Sequence, residues 1–405
     1  ATGNYNTAIG RGAGARFLQS NSTALGYYAG HFASGSNNTF VGFEAGKGTT
    51  NSAPFSSGQQ NVAIGYQSFY RFSTGGSNVA IGMQALSANN VSGHKNIAIG
   101  LSPAFSLTSG TDNIAIGSNA LGYTTTATDN IAIGQYTSHR TGQYNAASHV
   151  ITMGKFSGYY NQGNNNIFMG YYSGHGNSAN AHSPGVNNVG IGYQSSVSFI
   201  SGSYNVAVGG NTLYNNQYGE YNVAIGQGAG DHATGSYNTF VGGKAGEGGT
   251  TSAPFSSGQN NVAMGYEALK GFTTGHNNVA IGYQALQLAA TTHDSIAIGY
   301  QALQYGGQDN NIGIGYQAGQ TISSARYNVL IGDFAGQYLT TADTNENIMI
   351  GNAAGRFADA ATNAAHYNVY IGSNAGTYMD DGDSNVYIGR EAGKGGGTGN
   401  NATQN

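Results

Sequence analysis

One short pattern recurs along the whole chain and restricts its fold more than any other feature. Its commonest form is Asn-Val-Ala-Ile-Gly, as at 61–65, 78–82 and 222–226. Aligned on the last glycine, numbered position 0, the sequence contains 22 copies separated by 16 to 23 residues, most often 17. The glycines are at positions 10, 26, 42, 65, 82, 100, 117, 134, 154, 170, 192, 209, 226, 242, 265, 282, 299, 315, 332, 351, 372 and 389. A fixed short period through an entire chain indicates a solenoid.

Two positions of the repeat are apolar or β-branched in all 22 copies. Position −1 is Ile, Leu, Val or Met, and position −3 is Val, Ile or Thr. Residues separated by one position point to the same side of a strand, and β-branched residues favour the extended backbone. We therefore expect −3 and −1 to face the interior of each coil. Position +3 is Ala in 15 copies, which suits a narrow interior where a second short strand faces the first.

Position −2 lies between these residues and should point the other way. It is Ala in 12 copies and Gly or a larger apolar residue in nine more. A strand that is apolar on both faces is usually buried on both. We expect a second copy of the chain to cover this face, which predicts a homo-oligomer. An Ala-rich face left in water is the alternative, since single small apolar residues tolerate exposure.

Position −4 is Asn in 19 copies. Stacked coils would place these amides above one another, where Asn side chains hydrogen-bond along the axis. The favoured interpretation is a structural Asn ladder, and the alternative is a ligand-binding strip. The ladder residues singled out are Asn61, Asn78, Asn96, Asn113, Asn130, Asn222, Asn261 and Asn278.

A longer repeat lies above the short one. The insertion Ser-Ala-Pro-Phe-Ser-Ser-Gly-Gln at 52–59 returns at 252–259, an offset of 200 residues. We predict two tandem solenoid blocks of 11 coils, 1–200 and 201–405, the second a duplicate of the first. With each coil advancing ~4.8 Å, the 22 coils predict a rod on the order of 100 Å. Residues 1–7 resemble the mid-chain linker 233–239, so we expect a piece of a longer protein or units that stack end to end.

Composition narrows the class of protein. The 405 residues include 68 Gly, no Cys and only 7% charged residues, with a formal net charge of −4. Without a basic patch, nucleic-acid binding has no electrostatic basis. No apolar run approaches the ~20 residues of a membrane helix. Absence of Cys fits an extracellular, cell-surface or virion protein stabilised by stacking.

The pattern Asn-Val-Ala-Ile-Gly-x-x-Ala, followed by a Thr-Gly or Ser-Gly linker, resembles the head repeats of trimeric autotransporter adhesins and repeats of bacteriophage tail fibres. The resemblance covers essentially the whole chain. It implies a left-handed parallel β-roll with two short strands per coil and three chains side by side. The adhesin coils are shorter, commonly 14 residues, and their coiled-coil stalk and membrane anchor have no counterpart in this sequence.

Loops carried on a rigid scaffold are the usual sites of binding. Pro54 and Phe55 in the first insertion, and Pro254 and Phe255 in the second, are candidate contacts to a glycan, a receptor or a neighbouring fibre. The alternative is a loop folded over the solenoid, with each Phe covering apolar surface. The 29 Tyr include Tyr171, Tyr172 and a row at +1 that could stack on sugars or form a stabilising aromatic ladder.

Catalytic and metal sites have little support. His175 and His182 share one loop, and Asp380, Asp381 and Asp383 lie close together, but neither set has the partners of a metal site. No paired carboxylates, catalytic triad or phosphate-binding loop recurs, so we expect no enzyme activity, cofactor or metal. The predicted function is a structural and adhesive fibre segment. Alternatives are a self-assembling filament subunit, a glycan-cleaving spike and, ranked lower, an ice-binding solenoid.

Overall fold

The computed structural model describes residues 4–49, 55–140, 147–177, 183–249, 255–306, 309–339, 344–357, 366–379 and 383–395. These residues form 24 short strands and no helix. The chain divides into two compact units, Ala1–Ser203 (unit 1) and Tyr204–Asn405 (unit 2). The boundary predicted from the sequence falls between residues 200 and 201.

The described part of unit 1 contains β1 (Thr7–Ile9), β2 (Thr23–Leu25), β3 (Thr39–Val41), β4 (Val62–Ile64), β5 (Arg71–Phe72), β6 (Val79–Ile81), β7 (Asn89–Val91), β8 (Ile97–Ile99), β9 (Ile114–Ile116), β10 (Ile131–Ile133), β11 (Ile151–Met153), β12 (Ile167–Met169) and β13 (Val189–Ile191). That of unit 2 contains β14 (Val206–Val208), β15 (Val223–Ile225), β16 (Thr239–Val241), β17 (Val262–Met264), β18 (Val279–Ile281), β19 (Ile296–Ile298), β20 (Ile312–Ile314), β21 (Val329–Ile331), β22 (Ile348–Ile350), β23 (Val369–Ile371) and β24 (Val386–Ile388).

Within each unit, the strand of one coil pairs in parallel with the strand of the next, and the repeat positions stay in register. Ala63 of β4 lies beside Ala80 of β6, and in unit 2 Ala263 of β17 lies beside Ala280 of β18. The predicted fold class is confirmed: the protein is an all-β parallel solenoid of about 20 coils with about 17 residues per turn. The left-handed coiling that the resemblance implies stays a prediction.

The structure has one regular strand in almost every coil, where the sequence predicted two. Among the described residues, β5 and β7 form the one additional strand pair. The rest of each coil contains left-handed residues at −5, +2 and +4, for example Ser77, Gln84 and Leu86 with φ of 58°, 54° and 50°. An extended strand needs negative φ throughout, so these residues confine the regular strand to −3, −2 and −1.

The strand side chains point opposite to the prediction. Ala80 at −2 is fully buried, whereas Val79 at −3 and Ile81 at −1 stay partly exposed. The same alternation holds in most of the strands, so the expectation that −3 and −1 face the interior is wrong. Position +3 is buried as expected, as at Ala85. A core that narrow accommodates one row of side chains at −2, mostly Ala, but not two rows of Val and Ile.

Positions −2 and +4 share the remaining core space. Where −2 is Phe, Leu, Met or Tyr, +4 is always Gly; where +4 is Phe or Leu, −2 is always Ala. The first group comprises Phe40, Phe168, Phe240, Leu330, Met349, Tyr370 and Tyr387. A β-carbon added at Gly336 would lie 2.6 Å from Leu330 Cδ2, which no real contact allows. Each pair therefore has room for one large side chain.

Candidate functional site

The outer side of the strands carries rows of partly exposed apolar side chains. We call it the strand face and define it by the side chains at −5, −3, −1 and +1 of each coil. Position −5 adjoins −3, since Tyr327, Val329, Glu346 and Ile348 line one shallow groove. The exposed fraction is 38% at Ile64 and 42% at Ile225. Contiguous apolar surface of this kind usually marks an interaction site in a soluble protein.

Aromatic rows border the strand face. In unit 2 the +1 residues Tyr266, Tyr283, Tyr300 and Tyr316 stack in sequence, with ring centroids 5.6, 5.1 and 5.1 Å apart. Their neighbours cover the ring faces, and a sugar needs an open ring face to stack. This geometry favours the aromatic-ladder interpretation over sugar stacking for the middle of the row.

A second row lies at −5 in other coils. Tyr204, Tyr221 and Tyr237 stack with centroids 4.8 and 5.3 Å apart and nearly parallel rings. All three have left-handed backbone, with φ of 59°, 55° and 61°. Both rows thus run along the solenoid, one beyond each end of the strands.

The predicted candidates Tyr171 and Tyr172 belong to different surroundings. Tyr171 is at +1, is 44% exposed and stacks on Tyr193 at 5.7 Å. Tyr172 is at +2 and packs 4.8 Å from His175 and 4.9 Å from Phe156. Burial, together with the neighbouring Tyr171, raises the pKa of Tyr172.

Tyr172 is part of a cluster that the sequence analysis missed. We call it the aromatic cluster; it comprises Tyr136, His139, Phe156, Tyr159, Tyr160, Tyr172 and His175. The signal was present, because three consecutive coils carry an aromatic residue at +2 and His or Tyr at +5. Burial lowers the pKa of His139, although its Nδ1 lies 2.9 Å from Asn119 O. Burial also lowers the pKa of His175.

The Asn residues at −4 form hydrogen bonds from coil to coil along both units, with an interruption at Val150. The Asn78 backbone N donates to Asn61 Oδ1 at 2.9 Å, and Asn78 Nδ2 donates to Gly93 O at 2.9 Å. The same contacts recur in both units, at Asn61, Asn96, Asn113, Asn130, Asn222, Asn261 and Asn278. Asn61 and Asn78 are 0% exposed, so no ligand reaches them.

The +2 and +5 positions of unit 2 carry a second ladder, made of Gln amides. Gln301 Nε2 donates to Gln284 Oε1 at 3.0 Å, and the donors all point toward lower residue numbers. The series ends on the carboxylate of Glu267, which accepts from Gln284 Nε2 at 2.9 Å. At the other end Arg356 Nε donates to Gln337 Oε1 at 2.8 Å. A carboxylate that only accepts and a guanidinium that only donates therefore close the ladder.

The insertions lie beside two equivalent grooves. Pro54 and Pro254 are outside the described residues. Phe55 is half-buried under the Arg16 guanidinium at 5.3 Å, and Phe255 lies 5.9 Å from His232. Each Phe thus contacts its own solenoid, as the covering-loop interpretation expects, while keeping part of its ring exposed.

The two grooves differ in charge. The groove of unit 1, about 280 Å³, is lined by Phe32, Lys47, Gly48, Thr49, Tyr70 and Arg71. That of unit 2, about 300 Å³, is lined by His232, Glu247, Gly248, Gly249, Lys270, Gly271, Gln287 and Leu288. Two buried atoms of this second groove, His232 Nδ1 and Glu247 Oε2, have no hydrogen-bond partner among the described residues. Duplicated loops thus border grooves of different chemistry.

No group of three His, Cys, Asp or Glu side chains that could hold a metal ion occurs in the described ranges. His182, Asp380 and Asp381 lie outside those ranges. The described residues also include no helix with the length and apolar character that a membrane span needs.

No protein-family model matches the chain, and no curated protein matches it.

Proposed function

We propose that the chain is a non-enzymatic structural and adhesive segment of an extracellular fibre, of the kind found in bacterial surface adhesins or phage tail fibres. The solenoid fold is compatible with a structural protein. The feature that supports the proposal best is the strand face, where Val and Ile at −3 and −1 remain partly exposed in coil after coil. Large apolar surfaces of this kind favour association.

Identical copies packed side by side through the strand face would bury these rows. The sequence analysis argued for such a cover from −2; the structure moves that argument to −3 and −1. A homotrimer, which the resemblance implies, is the proposed assembly. Sedimentation of the intact protein should then give three times the chain mass of 41.5 kDa. A mass equal to a single chain would remove the main support for this proposal, and long fibres in electron micrographs would favour the filament subunit instead.

Adhesion is proposed to reside in the two insertion grooves, with a cell-surface glycan as the ligand class. Charged and aromatic side chains around a shallow groove suit the hydroxyl groups and apolar faces of sugars. Several weak sites on one assembly gain strength from avidity. The test is a glycan array probed with the intact protein, followed by Lys47→Ala and Lys270→Ala, one in each groove. Lys155→Ala is the matched control, since Lys155 lines neither groove.

Loss of array binding in the groove variants, but not in the control, is the expected result. Equal binding by all three variants would contradict a groove site. Release of reducing ends from a bound polysaccharide would instead favour the glycan-cleaving alternative.

A further inference from the structure

Aromatic residues at −5 and +1 exclude one another within a coil. Tyr occupies −5 in six coils and Tyr or Phe occupies +1 in nine others, and no coil has an aromatic residue at both. The first set is Tyr5, Tyr204, Tyr221, Tyr237, Tyr327 and Tyr367; the second is Tyr27, Phe43, Tyr66, Tyr171, Tyr193, Tyr266, Tyr283, Tyr300 and Tyr316. In all nine coils of the second set, −5 is Asn, Gln or Asp.

The core shows what such exclusion means in this protein. Positions −2 and +4 never both carry a large side chain, and there the cause is visible, because the two side chains occupy the same space. The core pairs therefore relate a sequence pattern to shared volume. Exclusion between −5 and +1 calls for a shared volume too.

That shared volume does not lie within one chain. Positions −5 and +1 are beyond opposite ends of the strand, six residues and up to ~20 Å apart in an extended backbone. Among the described residues, ring contacts run along each row, as between Tyr221 and Tyr237 or Tyr283 and Tyr300. In the described ranges, no ring of one row contacts a ring of the other. The two positions can meet only across a contact between copies.

The symmetry of the assembly determines how two copies are oriented and which of their coils meet. When parallel copies pack around an axis along the solenoid, the −5 edge of one strand face meets the +1 edge of its neighbour at the same coil. An antiparallel pair would bring −5 against −5 and +1 against +1, and a stagger would pair different coils. Exclusion within a single coil matches the parallel, unstaggered arrangement alone.

We infer that the −5 side chain of each coil packs against the +1 side chain of the same coil in a neighbouring copy, and that these pairs set the register of the assembly. The inference rests on the side-by-side association proposed above. It assigns a role to both aromatic rows: each coil supplies one ring per contact, and the opposite position stays small or polar to receive it. A ring facing Asn or Asp also gives the Tyr hydroxyl a hydrogen-bond partner.

Disulfide trapping tests the pairing directly, since the natural chain has no Cys. The double variant Asn277→Cys/Tyr283→Cys places one thiol at each position of one coil. Oxidation should link neighbouring copies into covalent oligomers on a non-reducing gel. The matched control, Asn277→Cys/Tyr316→Cys, has its thiols two coils apart, ~10 Å along the axis and beyond disulfide reach. The single variant Asn277→Cys is the control for cross-links formed by chance collision, because −5 should not meet −5 in the inferred arrangement.

Cross-linking of the first variant alone is the expected result. Efficient cross-linking of the staggered control or the single variant would overturn the inference, as would no cross-link in a protein that sediments as an oligomer. A parent protein that sediments as a single chain would instead contradict the proposed association itself. The two failures are therefore distinguishable.

Crowding gives a second readout. Asn277→Tyr puts Tyr at both positions of one coil and should weaken association at least tenfold by sedimentation. The backbone tolerates Tyr at −5, as Tyr237 shows. Asn277→Ala loses the same hydrogen bond to Asp294 without added bulk and is the control. The exchange Asn277→Tyr/Tyr283→Asn should restore association, and unchanged association of Asn277→Tyr would contradict the inference.

Discussion

Phe40 lies so close to Gly46 that a β-carbon at Gly46 would collide with its ring. Backbone conformation does not by itself demand this glycine. Gly46 has φ of 57°, but Leu86 occupies the equivalent position of another coil with φ of 50°. Phe40 is the residue that requires Gly46, just as Ala80 permits Leu86.

This pair predicts a compensated double variant. Gly46→Leu should lower the free energy of unfolding by about 2 kcal/mol or more through overpacking, and Phe40→Ala by about 3–5 kcal/mol through the cavity. Phe40→Ala/Gly46→Leu recreates the Ala80 and Leu86 arrangement and should cost at least ~1 kcal/mol less than the sum. Urea unfolding followed by circular dichroism measures all three variants, and strict additivity would contradict shared volume.

A single rung of the Asn ladder should contribute strongly to local stability. Asn78→Ala leaves the backbone N of Asn96 and the carbonyl of Gly93 without their partner, whereas Asn61 Oδ1 still accepts from the backbone N of residue 78. We expect a loss of about 3 kcal/mol, since each buried unsatisfied group costs about 1–3 kcal/mol. Asn78→Ser should cost less, because Ser295 at the same repeat position accepts from the Asn311 backbone N at 3.1 Å.

The control for this rung is Gln135→Ala, an exposed site that should change unfolding by less than about 0.5 kcal/mol. Equal stability of Asn78→Ala and Gln135→Ala would show that the ladder contributes nothing.

Glu267 should stabilise the end of the Gln ladder. Its carboxylate accepts from Lys270 at 2.8 Å and from Gln287 at 2.6 Å. Burial acts to raise its pKa, but these hydrogen bonds and the nearby lysines outweigh burial and hold the pKa below its usual value. Glu267→Ala should cost about 1–2 kcal/mol in thermal or urea unfolding, because charge-assisted bonds are lost while some water replaces them.

The comparison for Glu267 is Glu391→Ala, whose carboxylate forms an exposed pair with Lys394 at 3.7 Å. Exposed pairs contribute little, so a similar loss in both variants would contradict the proposed role.

The aromatic cluster should make stability depend on pH. Burial holds the pKa values of His139 and His175 below the usual 6.5 in the folded chain. As pH falls through about 6.5, these two histidines become protonated in the unfolded chain but stay neutral in the folded chain. The free energy of unfolding therefore decreases with acidification. Urea midpoints from pH 7.5 to 5 measure the slope. His139→Phe/His175→Phe should flatten it, and an unchanged slope would contradict the assignment.

The period of the sequence was enough to predict the fold class, because every coil has the same glycine and the same β-branched flanks. The face of the strand that points into the core was predicted wrongly. Ile81 is more apolar than Ala80, so ranking residues by size and hydrophobicity places Ile81 inside. The width of the coil decides otherwise, and width is a tertiary property. The sequence does contain a signal for this face, because Phe40 is paired with Gly46 and Ala80 with Leu86. Such compensation in size between −2 and +4 indicates that both positions lie in the core.

The candidate site was harder to predict than the fold. The duplicated Phe55 and Phe255 identified the insertions but not the chemistry of the two grooves. Lys47 and Glu247 occupy equivalent positions of the two blocks and carry opposite charges. The stacking of Tyr283 on Tyr300 follows from register. The aromatic cluster around His139 depends on which face +2 and +5 share, and left-handed residues set that face.

The polarity of the Asn ladder also bears on the order in which the coils form. The Asn side chains offer Oδ1 to the backbone N at position −4 of the following coil, as Asn61 does for Asn78. A coil already formed thus displays the acceptor that the next coil needs, and contacts in such stacks are with nearest neighbours. A ribosome delivers the chain in the same order. The finished coils would serve as a template on which each newly synthesised segment settles, so that growth proceeds from the amino-terminal end.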